Sequence, residues 1–172
     1  VYHVLFTNDE DAEYGVVLDG LTVKDGETWN DMSDAKEHNE AGRGGGLYSY
    51  GVSYTISRCR FLNNFGVRGG AVYLRDARLN VIGSIFAGNG TVAEPKYDEY
   101  QTPRGGAIFL AGVDNSKTDA SLFAVNSLFV NNEIEGEGGA IGTNYAEGIV
   151  TTYDPVIDLM NCTFARNKAK TN

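Results

Sequence analysis

The feature that most restricts what this chain can fold into is a pair of short motifs that recur in phase. A glycine pair followed by small and aliphatic residues appears as Gly44-Gly45-Gly46-Leu47-Tyr48, Gly69-Gly70-Ala71-Val72-Tyr73, Gly105-Gly106-Ala107-Ile108-Phe109 and Gly138-Gly139-Ala140-Ile141-Gly142. Each is followed by a second element ending in Phe-x-x-Asn: Phe61 to Asn64, Phe86 to Asn89, Phe129 to Asn132 and Phe164 to Asn167. Gly44 and Gly69 lie 25 residues apart, as do Phe61 and Phe86, a spacing typical of one unit in a stacked-repeat protein. The later units are stretched by inserted segments, at Gly90 to Arg104, Gly112 to Lys117 and Tyr145 to Pro155. A weaker, earlier unit runs from Val16 to Gly26, with Val23 in the phenylalanine place and Gly26 in the asparagine place. About five coils are therefore expected.

Equivalent residues return in the same direction once per coil, so like side chains stack on like; a meander of hairpins would instead show tight primed turns between alternating strands. Cys59, Ser84, Ser127 and Cys162 stand two positions before the phenylalanines. Under the two-residue period of a strand they point to the same side. The expectation is an inward aromatic column, Phe61, Phe86, Phe129 and Phe164, beside an inward column of small residues. Asn64, Asn89, Asn132 and Asn167 fit a bend where carboxamides satisfy backbone groups and bond from coil to coil, and asparagine tolerates the left-handed backbone. The paired glycines suit the next corner, where a Cβ would clash. The two cysteines share a column three coils apart, roughly 14 Å at ~4.8 Å per strand and beyond the ~7 Å Cα limit for a disulfide. Both are expected free and buried. The fold class expected is all-β, a right-handed single-stranded parallel β-helix with inserted loops.

Composition narrows the partners. With 23 acidic and 14 basic residues the formal net charge is -9, a field that repels phosphate backbones and argues against nucleic acid as a partner. No run approaches the ~20 apolar residues of a spanning helix. The opening Val1-Tyr2-His3-Val4-Leu5-Phe6 has neither an initiator methionine nor a basic leader, so the chain is expected to be one β-helix segment of a longer protein, its repeat covering about residues 16–169, with neighbouring domains in the same protein.

The Gly-Gly-Ala-Ile and Phe-x-x-Asn motifs together resemble the repeat of the chlamydial polymorphic membrane proteins. The opening Val17-Leu18-Asp19-Gly20-Leu21-Thr22-Val23 and the Cys-x-Phe-x-x-Asn run at Cys59 are similar to those of a wider group of bacterial surface β-helix proteins. The resemblance covers residues 16–169, with departures at Gly46, where alanine is usual, and in the lengthened third and fourth units. It implies an extracellular or outer-membrane, cell-surface passenger, a non-enzymatic scaffold and adhesin whose inserted loops meet a protein or glycan partner.

Parallel β-helices also include enzymes that bind or cleave polysaccharides, so chemistry is the competing expectation. A lyase needs a base and cationic neutralisation of a uronate along a groove. The candidate ligand-binding residues are Arg58, Arg60 and Arg78, with Arg75 and Asp76 beside them, and the sugar-stacking aromatics Tyr48 and Tyr73, followed by Tyr50, Tyr54, Tyr97 and Tyr100. Asp19 and Asp158 are the carboxylates to weigh as a glycosidase pair. Arg43, Arg68 and Arg104 each precede a glycine pair, with Glu137 in the fourth place. They read either as an anion-binding ridge or as partners of corner carbonyls and loop carboxylates. His3 and His38 have no metal-like spacing, and neither a transition-metal site nor a catalytic residue is assigned. The one cofactor considered is calcium, at Asp31, Asp34, Glu37 and Glu40, where the usual loop spacing is absent.

Overall fold

The computed structural model describes residues 3–9, 11–28, 42–90, 103–112, 120–144 and 155–170. Among these residues the structure is all-β, without a helix. The chain passes through three strands and returns to the first position. The initial circuit is β1 (Leu5–Asn8), β2 (Gly15–Asp19) and β3 (Thr22–Lys24), and the second is β4 (Leu47–Tyr50), β5 (Ser53–Ser57) and β6 (Arg60–Leu62). Then follow β7 (Val72–Arg75), β8 (Arg78–Ile82) and β9 (Ile85–Ala87), and next β10 (Ile108–Ala111), β11 (Ser121–Val125), β12 (Leu128–Val130) and the short β13 (Glu133–Ile134). The last circuit is β14 (Ile141–Asn144), β15 (Val156–Met160), β16 (Thr163–Ala165) and β17 (Lys168–Ala169).

Strands of equal rank stack in parallel. Sheet 1 has the order β1-β4-β7-β10-β14, sheet 2 β2-β5-β8-β11-β15 and sheet 3 β3-β6-β9-β12-β16, while β13 pairs with β17. This arrangement is compatible with a parallel β-helix. The register is the one the repeat requires: Val23, Phe61, Phe86, Phe129 and Phe164 are successive partners. Their rings stack at centroid distances of 5.0, 5.0 and 4.7 Å along the four phenylalanines. One apolar cluster draws on all three sheets, with Leu47, Val72 and Ile108 from sheet 1, Ile56, Leu79 and Leu122 from sheet 2, and the phenylalanines from sheet 3.

Asparagines tie the bends together. The main-chain N–H and the carboxamide of Asn64 both donate to Oδ1 of Asn89, each at 3.0 Å, and the pattern repeats from Asn89 to Asn132 and from Asn132 to Asn167. Gly26, in the asparagine place of the first coil, donates its N–H to Asn64. The small column is also bonded: the N–H of Cys59 donates to Ser84 Oγ and that of Ser84 to Ser127 Oγ.

Four details differ from the sequence expectation. The left-handed residue at the bend is not the ladder asparagine but the one before it: Asn63, Gly88, Asn131 and Arg166 have φ of 52°, 66°, 54° and 56°. Turning the chain there leaves the next carboxamide aimed into the stack. Cys162 is free like Cys59, but only half-buried, because it lies in the last coil. For the same reason Phe164, at the end of the aromatic column, is exposed. The stack also begins before residue 16, since Leu5–Asn8 already pairs with Leu47–Tyr50; this strand has no glycine pair ahead of it to announce it.

Candidate functional site

The inserted segments enter the fold at two corners only. Residues 29–41 and 91–102 lie in the connections that lead into sheet 1, from β3 to β4 and from β9 to β10. Residues 113–119 and 145–154 lie in the connections that leave it, from β10 to β11 and from β14 to β15. Sheet 1 is thus flanked by every long insertion, and the corner between sheets 2 and 3 carries none, because two residues there join each pair of strands.

Among the described residues, sheet 1 also carries a second, separate apolar cluster on the face away from the core. Tyr48, Tyr73, Phe109 and Ala111 are buried there, with Tyr50 packed against them. They follow the glycine pair by alternation: Leu47, Val72 and Ile108 point inward, so the next residue points out. Phe6, Tyr48, Tyr73 and Phe109 stack in succession at 5.1, 5.3 and 5.6 Å. The arginines preceding the glycine pairs are drawn onto this column. Arg43 places its guanidinium 5.1 Å from the Tyr73 centroid and Arg68 lies 5.7 Å from that of Phe109, while Arg75 sits 4.4 Å over Tyr50. Aromatic faces are negative, which favours a cation above them. Burial, with the repulsion of Arg43 and Arg104 added, pushes the Arg68 pKa below the usual arginine value. Arg104 pairs with Glu137 at 3.0 Å. The arginine column therefore combines ring stacking with a carboxylate partner. Sequence reasoning singled out Tyr48, Tyr73 and the arginines but missed Phe6 and Phe109 as members of one column; their position after the aliphatic residue was the available signal.

The other candidates are dispersed. Tyr48 and Tyr73 are buried, so neither offers an open ring face. Tyr54 is buried on the inward side; burial raises its pKa, although its hydroxyl donates to Thr7 Oγ1 at 3.2 Å. Arg58 is exposed at the corner after β5 and pairs with Asp19. Arg60 is exposed on sheet 3, whereas Arg78 opens β8 beside Ser53. Arg78 and Arg58 are separated along sheet 2 by a five-residue strand, about 17 Å, so the structure does not gather these arginines into one patch. Arg75 faces Asp76 at 3.5 Å. Asp19 and Asp158 fall on β2 and β15, the opposite edges of sheet 2, roughly 19 Å apart at four strand spacings. This is too far for a glycosidase pair, which needs up to about 9.5 Å.

The His3 ring packs at a tilt against Phe6 and Tyr48, with centroids 5.3 and 5.4 Å away, and its Nδ1 lies 3.0 Å from the Gly44 carbonyl. Asp31, Asp34, Glu37, Glu40, His38, Tyr97 and Tyr100 lie outside the described residues. Among the described residues no three His, Cys, Asp or Glu side chains converge as metal ligands. No helix among them is long and apolar enough to cross a membrane. The Asn64, Asn89, Asn132 and Asn167 carboxamides hydrogen-bond from coil to coil, and the Phe61, Phe86, Phe129 and Phe164 rings stack beside them. A search of protein-family models, of curated proteins and of solved structures finds no match to this chain.

Proposed function

We propose that the chain is a segment of a right-handed, single-stranded parallel β-helix. In this reading it serves as a non-enzymatic scaffold at a bacterial cell surface, similar in its repeat to the polymorphic membrane proteins, and it engages a partner through its inserted segments. The right-handed sense follows from the strong preference of strand-crossover-strand connections between parallel strands. The observation that carries the functional reading is the placement of all long insertions at the two borders of sheet 1. A solenoid holds its repeated residues fixed for stacking, and recognition is then left to the segments that depart from the repeat. Here those segments border one face, whose buried aromatic and arginine columns give it a rigid base.

The test removes one insertion and keeps the coil. Phe65 and Gly90 are bridge partners, as are Arg68 and Arg104. Residues 91–102 therefore occupy the place that Gly66 alone fills one coil earlier, and a variant with a single glycine in their stead should retain the far-ultraviolet circular dichroism of the parent. Flow cytometry on cultured epithelial cells and a glycan array should show binding by the parent and its loss in the variant. Equal binding by both proteins, or turnover of a polyuronate followed by product absorbance, would overturn the reading in favour of a carbohydrate-active one.

A further inference from the structure

We propose that a notch on the outer surface of the bend between sheets 3 and 1, formed where the third coil carries glycines, is a subsite for one uncharged pyranose ring of a glycan. The proposal rests on the surface-recognition reading for its biological partner and names that partner's chemistry; the notch itself is made by residues of the coils and not by an insertion. Two columns run past the outside of this bend. Asn63, Gly88, Asn131 and Arg166 succeed one another at its left-handed position. Glu27, Phe65, Gly90, Glu133 and Lys168 follow two residues later as successive bridge partners. The third coil thus has glycine at both positions. Its neighbours hold Asn63 and Phe65 on one side and Asn131 and Glu133 on the other, two strand spacings or roughly 9.5 Å apart. Between them lies a cavity of about 260 Å³. A Cβ on Gly90 would lie 1.9 Å from the Glu133 carbonyl oxygen, so no side chain at that position can close the gap.

The walls differ in chemistry. Phe65 lines the cavity from the second coil, Gly88 from the third, Asn131, Glu133 and Glu135 from the fourth, and Lys170 from the fifth. Phe65 is half-buried, whereas Asn131, Glu135 and Lys170 are exposed. Lys170 bonds Glu133, Lys168 lies 3.7 Å from the same carboxylate, and Lys170 also feels the field of Glu135. Two acids and two bases cancel. A cationic ligand would have to displace Lys170 from Glu133, and an anionic one would meet both carboxylates. An uncharged ligand keeps the ion pairs and uses the hydrogen bonds around them: carboxylate oxygens that accept from hydroxyls, a carboxamide that accepts and donates, and an ammonium that donates. A pyranose has the matching surface, hydroxyls around its rim and a C–H face that packs on an aromatic plane such as Phe65. The cavity is smaller than the roughly 300–1,000 Å³ of sites for drug-sized ligands, which limits the occupant to one ring.

A single ring held this way binds at about millimolar strength. A washed array does not retain such a ligand without further contacts, so the notch is read in solution. The probes are the methyl glycosides of glucose, galactose, mannose and N-acetylglucosamine, followed by proton–nitrogen NMR on the folded chain. At least one of them should shift the amides of Gly88, Gly90 and Glu133 saturably. Gly88→Asn gives the third coil the side chain that both neighbouring coils carry, in a left-handed conformation that asparagine tolerates, and should abolish the shifts. Phe65→Ala should weaken binding by about tenfold, while Phe65→Tyr should retain it; circular dichroism checks that each variant folds. Replacing residues 91–102 by one glycine leaves every residue that lines the cavity in place and should leave the shifts intact, so a failure of insertion-dependent cell binding and a failure of the notch are separate results. No saturable shift with any of the four glycosides, shifts that survive both Gly88→Asn and Phe65→Ala, loss of the shifts on replacing 91–102, or tighter binding of methylguanidinium or glucuronate would each overturn the proposal.

Discussion

A carboxamide carries both donors and an acceptor on one short stem, which is why asparagine and not aspartate or serine fills the bend ladder. Asn89 accepts two hydrogen bonds from Asn64 and donates to the Phe61 carbonyl and to Asn132, in a buried setting. Removing its side chain leaves the two Asn64 donors unsatisfied, at about 1–3 kcal/mol each when water cannot reach them, and takes one of the donors from the Phe61 carbonyl. Asn89→Ala should therefore lower unfolding free energy in urea by about 3 kcal/mol or more. Asn167→Ala should cost less than about 1.5 kcal/mol, since water can replace an acceptor that is only half-buried. Equal losses at the two positions would mean that the carboxamides are not coupled into a ladder. Aspartate at position 89 is the sharper substitution, because it sets a carboxylate oxygen against the Phe61 carbonyl and Oδ1 of Asn132 where a donor is required.

Strands here are short, and the corners between them decide the register. Gly69 has a φ of +63°, and a Cβ built on it would lie 2.0 Å from the Val72 carbonyl oxygen, while Gly83 has a φ of +55° with open space around it. Gly69→Ala should thus exceed about 3 kcal/mol in chemical denaturation, since backbone must move, whereas Gly83→Ala should cost about 1 kcal/mol of left-handed strain alone. The glycine pairs were legible in the sequence as corners because their reason is local. The left-handed residue at the asparagine bend was not: Asn63 and Asn64 are adjacent and chemically identical, and only coordinates show which one turns the chain. Nor did spacing reveal the clip between β13 and β17, where Glu133 meets Lys170 and, at 3.7 Å, Lys168. The hydrogen bond from Lys170 holds the Glu133 carboxyl below the usual glutamate range. A folded-state value below the unfolded one means a contribution that is present above the unfolded pKa and fades as pH falls through the folded one. Lys170→Met should shift the Glu133 carboxyl titration, followed by carbon-13 chemical shift, upward toward the ordinary value; an unmoved midpoint would show that the pair does not form in solution.

At the scale of the molecule, stability is a sum over neighbouring coils, each covered by the next. The aromatic column was legible because stacking demands the same residue at each level, but that regularity hides position: nothing in the sequence distinguishes Phe86, enclosed by Phe61 and Phe129, from Phe164, with a ring on one side only. The same holds for the candidate site. Alternation in the sequence points Tyr48 and Tyr73 outward, yet the structure buries them among the stacked rings of Phe6 and Phe109, with His3 against Tyr48 and the Arg43 guanidinium over Tyr73. The energetic consequence of position follows from burial. Phe86→Ala opens a cavity in a core that cannot close around it and should cost about 3–5 kcal/mol. Phe164 is 42% exposed and lies on the edge strand β16 among the described residues, so its truncation removes less buried area and leaves no enclosed void. A loss below about 1.5 kcal/mol is expected for Phe164→Ala in the same urea titration. If the two substitutions proved equally damaging, the last coil would have to be as enclosed as the middle ones.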